Sequence, residues 1–301
     1  MAPEPEQVRL LRPRTITPSA PATPDAPLTA ALGATDRWDA PHVAAAVVDR
    51  TGILASVGPA DHRFRLASVT KLLLAYACLV AVEEGTLDLD EPAGPPGATV
   101  RHLLAHAAGF GFDTGVLTQP GRKRIYSNTG YEALAEHLGE QAGMDPVDYV
   151  TAAVLDPLGM TETDVQQGGL AHGAVAPLAD LVRFTSELLD PTLVHRNTFD
   201  LATTVAFSGL DGALPGIGSQ HPNDWGLGFE LRDHKHPHWT GQTNSPTTFG
   251  HYGGAGTFVW VDPSIATGLV VLTDHAFGPW ALDAWPPLSD AVVAAVRAHR
   301  S

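Results

Sequence analysis

The chain has 301 residues, with 33 acidic side chains against 18 Lys and Arg, and a formal net charge of −15. Such a surface repels phosphate groups, which argues against nucleic acid and membrane surfaces as partners. Hydrophobic residues make up 44% of the chain, and no apolar run reaches the length of about 18 residues that a membrane span needs. The single cysteine, Cys78, excludes an internal disulfide and a Cys-rich metal site.

The N-terminal segment, residues 1–33, is rich in Pro, Ala and Thr and is predicted to be a flexible leader. It lacks the apolar stretch of a signal peptide, so a cytoplasmic location is expected. Residues 34–301 are expected to form the folded domain. Apolar runs at 43–48 and 53–57, separated by an Asp-Arg-Thr-Gly turn, predict a β-hairpin at its start.

Helical patterns dominate the middle of the chain, and strand patterns return near its end. Apolar residues recur at helical spacing from Ser68 to Glu84, and further helices are predicted near 100–107, 131–142, 146–155 and 178–189. Strands are predicted at 225–231, 257–261 and 267–273, followed by a last helix over 288–299. This order predicts an α/β (α+β) fold. An antiparallel sheet is built from both termini and flanked by helices, with a helical subdomain inserted at roughly 86–205.

The first chemical motif is Ser68-Val69-Thr70-Lys71. Residues three apart on a helix share a face, so the Lys71 amine lies within reach of the Ser68 hydroxyl. A serine becomes a good nucleophile when a neighbouring base takes its proton, and lysine acts as that base only when it is uncharged. The apolar residues that follow Lys71 suit a desolvated amine. The alternative is a helix start with a capping serine and an exposed lysine.

Two further motifs fit the same chemistry. Tyr126-Ser127-Asn128 precedes a predicted helix, where Tyr126 could carry a proton and Asn128 could accept from Lys71 and donate to a substrate carbonyl. His251-Tyr252-Gly253-Gly254 precedes a predicted strand, and a free N–H there, from Gly254, could help bind an oxyanion. Taken alone, the first motif is more typical of a packed ring and a helix cap, and the second of a hairpin turn with a surface histidine.

Together, in this order, the three motifs resemble the serine β-lactamase and penicillin-binding protein superfamily, most closely its class C-related branch. The segments 81–90, 100–110, 157–161 and 225–229 are also similar to that branch. The resemblance implies that Ser68 is acylated and that Lys71 and Tyr126 move its proton. Asn128, His251, Gly253 and Gly254 would then bind the substrate. It leaves open which of Lys71 and Tyr126 is the base.

The resemblance implies a serine hydrolase that cleaves small esters or amides through an acyl-enzyme, without a cofactor or a metal. The third motif has His251 and Tyr252 where many β-lactamases have Lys and Thr, which disfavours β-lactam antibiotics as substrates. The alternatives are an acyltransferase, a D-Ala carboxypeptidase or β-lactamase, and a non-catalytic binding protein. The alternating histidines 234, 236 and 238 lack further ligands and are interpreted as a polar loop, and His102 and His106 as structural. The sequence does not define the oligomeric state.

Overall fold

The computed structural model describes residues 25–165 and 169–299. Its strands, in chain order, are β1 (Val43–Asp49), β2 (Gly52–Val57), β3 (Arg63–Arg65), β4 (Val175–Pro177), β5 (Gly212–Leu214), β6 (Gly218–Gln220), β7 (Glu230–Leu231), β8 (Phe249–Gly253), β9 (Thr257–Asp262) and β10 (Thr267–Thr273).

Six of these strands form the central antiparallel sheet, in the order β2-β1-β10-β9-β8-β7. The sheet therefore joins the beginning of the domain to its end through the pairing of β1 with β10, which places Val43 opposite Thr273. This confirms the predicted antiparallel sheet built from both termini. The small β3-β4 and β5-β6 pairs lie outside it.

The α-helices, in chain order, are α1 (Ala26–Leu32), α2 (Thr70–Glu84), α3 (Val100–Leu104), α4 (Asn128–Ala142), α5 (Pro146–Val150), α6 (Asp156–Leu158), α7 (Leu178–Leu189), α8 (Arg196–Ala202) and α9 (Pro279–His299). A π-helical turn, Thr151–Leu155, joins α5 to α6. None of the helices in the described part of the chain combines the length and apolar character needed to cross a bilayer.

Helices cover both faces of the sheet because alternate residues of each strand point to opposite sides. In β1, Ala44, Ala46 and Val48 belong to the core that includes α2, α4 and α7, whereas Ala45 and Val47 belong to a second core with α1 and α9. Helix α2 is buried along nearly its whole length in the first core. A helix surrounded on all sides fixes the residues at its N-terminus firmly.

Several element boundaries differ from the sequence predictions. The folded part already includes α1, within the predicted leader, because Asp25 caps this helix and Leu28 and Leu32 are buried beside α9; residues 1–24 of that leader lie outside the described residues. The last helix begins at Pro279 rather than 288, because Ala281 and Trp285 are buried ahead of its two internal prolines.

In the predicted strand 225–231 only Glu230 and Leu231 pair in the sheet. Gly226 instead lies against the end of α8, where an added Cβ would be 2.0 Å from the Ala202 carbonyl oxygen. Helix α7 falls within the predicted inserted subdomain, yet it packs on β1 and β10. The segment 86–205 is therefore only partly separate from the sheet.

Candidate active site

Ser68 lies on a short 3-10 turn, Ala67–Val69, that leads directly into α2. Ala67 has a φ of 45°, in the left-handed region that residues with a side chain rarely adopt. The turn is anchored on both sides, because the Leu66 N–H donates to the Ala174 carbonyl and the Leu66 carbonyl accepts from the Thr257 hydroxyl. Ser68 itself remains half-buried, so its hydroxyl is accessible from the surface.

Lys71 lies one turn further along and is completely buried. Its Nζ donates to Asn128 Oδ1 at 2.6 Å and to the Ala171 carbonyl oxygen at 2.8 Å. Burial lowers the pKa of the Lys71 ammonium from 10.5 to about 7, although the negative charges of Asp113 and Glu132 act in the opposite direction. A large fraction of the amine is therefore uncharged at neutral pH.

The Tyr126 ring covers this amine, with Nζ of Lys71 4.9 Å from the ring centroid. Its hydroxyl lies 3.2 Å from Nε2 of His251, and the Ser68 side chain is near enough to act on its pKa. Burial raises the pKa of the Tyr126 phenol far above its ordinary value, and the Ser68 side chain offsets this only in part. The phenol is therefore protonated in the resting protein. The structure thus places Lys71 against both Asn128 and the Tyr126 ring, with Ser68 beside the Tyr126 phenol.

Asn128 begins α4, where the Ser127 hydroxyl caps the helix by accepting from the Gly130 N–H. The Asn128 side chain orients Lys71 through its oxygen, as the sequence predicts. The sequence predicts that the Asn128 nitrogen donates to a substrate carbonyl. In the structure this nitrogen donates to the Asp113 carboxylate at 2.8 Å, which uses one of its two hydrogens.

The third motif is part of the sheet. His251, Tyr252 and Gly253 belong to β8, and the turn to β9 consists of residues 254–256. An added Cβ on Gly253 would be 2.2 Å from the Leu66 carbonyl oxygen and 3.2 Å from the Ser68 backbone nitrogen. Only glycine lets the strand approach Ser68 this closely. Gly254 follows at the start of the turn, and its carbonyl accepts from the Phe277 N–H.

His251 is buried in the structure, whereas the sequence predicts that it binds the substrate. It is 1% exposed, lies behind Tyr126, and packs its ring against Trp225 at 5.4 Å. Burial and the neighbouring Lys71 lower the pKa of His251 to about 3, so its imidazole is neutral. The side chain therefore contacts the phenol of Tyr126 rather than a solvent-accessible pocket.

Residues 233–238, interpreted from the sequence as a polar loop, contribute to a buried polar cluster around Glu230 that the sequence did not predict. Glu230 accepts from Lys235 at 3.1 Å, from Trp239 at 2.7 Å, and lies 2.8 Å from His238 Nε2. Burial opposes the ionisation of Glu230, but these partners outweigh it and lower its pKa to about 2. Glu230 is opposite Gly250 in the sheet, so the cluster supports the strand that carries His251.

The other histidines that the sequence analysis considered as possible ligands do not form a common site. His106 is buried, accepts from the Ser127 N–H and stacks on Tyr131 at 4.8 Å, as its structural interpretation predicts. His238 contacts Glu230, whereas the side chain of His234 is 83% exposed, so the alternating histidines do not converge on one point.

A cavity of about 590 Å³ opens beside Tyr126. Its lining includes the apolar side chains Phe112, Ile125 and Pro215, together with the charged Lys123 and Asp211. Phe112 is 45% exposed at its rim. Of the residues predicted for the site, Tyr126 lines this cavity and Ser68 does not.

A family model described as Beta-lactamase matches residues 34–293. The chain belongs to this family. A solved structure described as a beta-lactamase from Mycobacterium bovis is 51% identical, with a TM-score of 0.87, over 88% of this chain and 99% of that one. This membership confirms the resemblance and the fold class predicted from the sequence, and it makes the chain a member of a hydrolase family.

Two further relatives are more distant. The structure of EstCE1, described as a hydrolase with promiscuous acyltransferase activity, is 17% identical with a TM-score of 0.74, over 89% of this chain and 99% of that one; this similarity concerns the fold. Penicillin-binding protein 4* of Bacillus subtilis (strain 168) is 28% identical in a match that covers 34% of this chain and 30% of that protein.

Proposed function

We propose that this Beta-lactamase family member is a serine hydrolase that cleaves small esters or amides through an acyl-enzyme on Ser68. The observation that carries the proposal is the environment of Lys71. An amine that is completely buried, with its pKa lowered to about 7, lies one helical turn from a half-buried serine. Such a pair supplies the base that a serine nucleophile requires.

The hydrogen bonds of Lys71 support its role as that base. A neutral amine has two hydrogens and one lone pair, and both hydrogens have acceptors, in Asn128 Oδ1 and the Ala171 carbonyl. The lone pair is then left to take the Ser68 proton as the serine oxygen attacks the substrate carbonyl. Of the two open alternatives, the pKa directions favour Lys71 over Tyr126 as the principal base.

Tyr126 then serves as the proton donor. Its phenol is protonated, lies beside Ser68 and is backed by the neutral imidazole of His251. It can pass its proton to the departing alcohol or amine, and the Lys71 ammonium that formed when Ser68 attacked can return a proton to the phenolate beside it. The tetrahedral oxyanion would be bound by the N–H groups of Ser68 and Gly254, whose approach depends on the absence of a side chain at Gly253. Loss of one such donor typically costs about 3–4 kcal/mol of transition-state stabilisation.

The third motif favours uncharged esters over β-lactams. A β-lactam presents a carboxylate, which a cation at the third motif would bind, but His251 is neutral and buried. The Tyr252 hydroxyl donates to the Pro215 carbonyl at 2.7 Å and so is already engaged. Neither side chain therefore supplies a charge or a free hydroxyl for a substrate carboxylate.

Labelling with a fluorophosphonate probe tests the proposal. The wild-type protein should be labelled on Ser68, and Ser68→Ala should abolish labelling while leaving the circular dichroism spectrum unchanged. Nitrophenyl esters should be turned over faster than a chromogenic cephalosporin. A protein that is folded but not labelled would favour a binding protein, and faster cephalosporin turnover would overturn the ester preference. Product ratios that depend on an added alcohol would assign acyl transfer instead of hydrolysis.

A further inference from the structure

We propose that His42, His62 and Asp274 form a surface binding site for a divalent transition-metal ion of the zinc type. Each of the three residues offers one ligand atom, and these atoms all lie within 4.8 Å of one another. His42 Nδ1 is 2.6 Å, and His62 Nε2 is 3.2 Å, from the same Asp274 oxygen, Oδ2. Two imidazole nitrogens and one carboxylate oxygen are a donor set that zinc binds well.

The backbone of the fold holds these residues together although they are distant in sequence. His42 directly precedes β1 and Asp274 directly follows β10, and the Asp274 N–H donates to the His42 carbonyl at 3.2 Å. His62 directly precedes β3; its ring stacks on His42 at 4.1 Å and packs edge-on against Phe64 at 4.5 Å. The three side chains are therefore already close together before any ion binds.

One of the three separations between ligand atoms already suits an ion, and the other two adjust by rotation of the side chains. Zinc with ligands at about 2.0–2.1 Å in a tetrahedron separates them by about 3.3 Å. The 3.2 Å between His62 Nε2 and Asp274 Oδ2 already fits, whereas the 2.6 Å between His42 Nδ1 and that oxygen is a hydrogen bond that must open before Nδ1 can bind the ion. The side chains are 48%, 32% and 32% exposed for His42, His62 and Asp274, which leaves room for water as a fourth ligand.

The site lies where two parts of the candidate active site are anchored. His62 is on the segment that leads through β3 to Ser68. After Asp274, the chain packs on the glycine turn that follows β8, through the hydrogen bond from the Phe277 N–H to the Gly254 carbonyl. A bound ion would cross-link these segments and should raise the melting temperature.

Zinc titration of untagged, chelator-treated protein tests this inference independently of ester turnover. Calorimetry and competition with a chromophoric chelator should give one zinc per chain, with a dissociation constant in the micromolar range or below, and a rise of several degrees in melting temperature. Asp274→Asn and His62→Gln should each abolish both effects. The fold of each variant is checked without metal by circular dichroism, and the two variants give independent tests.

Two controls separate this site from other metal binding and from the catalytic proposal. His234→Gln removes an exposed histidine outside the cluster and should leave the zinc titration unchanged. Ser68→Ala should also bind zinc like the wild type, whatever its effect on catalysis. Unchanged zinc stoichiometry in Asp274→Asn, or the absence of a site in the wild type, would overturn the inference and leave the three residues as a hydrogen-bonded cluster.

Discussion

The lowered pKa of Lys71 predicts a specific dependence of stability on pH. In the unfolded chain the amine titrates near 10.5, and in the folded protein near 7. Between these values the unfolded chain binds more protons than the folded one, so the free energy of unfolding rises with pH. The destabilisation caused by burying this amine is largest below pH 7 and vanishes above 10.5. Methionine at this position fills similar space without titrating.

Comparison of the wild type with Lys71→Met isolates this effect, because the two proteins share all other titrating groups. With the two pKa values above, the wild type should gain about 2 kcal/mol relative to the variant between pH 7 and pH 9. Urea denaturation at both pH values measures the difference. Lys71→Met leaves acceptors without a donor, which lowers the stability of the variant equally at both pH values. This effect therefore cancels in the comparison. A wild-type-to-variant difference that stays constant between the two pH values would refute the lowered pKa.

Three other substitutions have defined outcomes. Tyr126→Phe should lower kcat/KM by about 100-fold or more with little change in melting temperature, since it removes the proton carrier and keeps the ring. Gly253→Ala should lower kcat/KM at least as much, because its Cβ would be 3.2 Å from the Ser68 nitrogen; unchanged ester kinetics would contradict the close approach. Glu230→Gln should destabilise the protein by about 3–5 kcal/mol in urea denaturation, because the buried Lys235 ammonium loses its counter-charge; wild-type stability would contradict that pairing.

Local sequence patterns correctly predicted several strands and helices of the fold. The hairpin of β1 and β2, helix α2 and the strands β9 and β10 follow from apolar periodicity and from turn residues. The prediction that Lys71 lies one helical turn from Ser68 rests on helical spacing alone. Helix α1 was missed although Asp25, followed by Pro27, is a recognisable helix start, because the composition of the surrounding segment favoured a leader.

Features that depend on long-range packing could not be predicted from the sequence. The stretch around Lys235 is polar, and nothing local shows that it folds inward onto Glu230. The same holds for the burial of His251, which follows from the packing of Tyr126 and Trp225 against β8. His42, His62 and Asp274 come from three separate segments, so no ligand spacing marks them as a cluster.

The pH dependence of Ser68 acylation tests the central claim most directly. The second-order rate of labelling by an uncharged fluorophosphonate should rise with pH and reach a plateau, with an apparent pKa near the value of about 7 of Lys71. Lys71→Met should label far more slowly at every pH. A wild-type rate that is flat between pH 5 and pH 9, or that rises only above pH 9, would contradict activation of Ser68 by an uncharged Lys71.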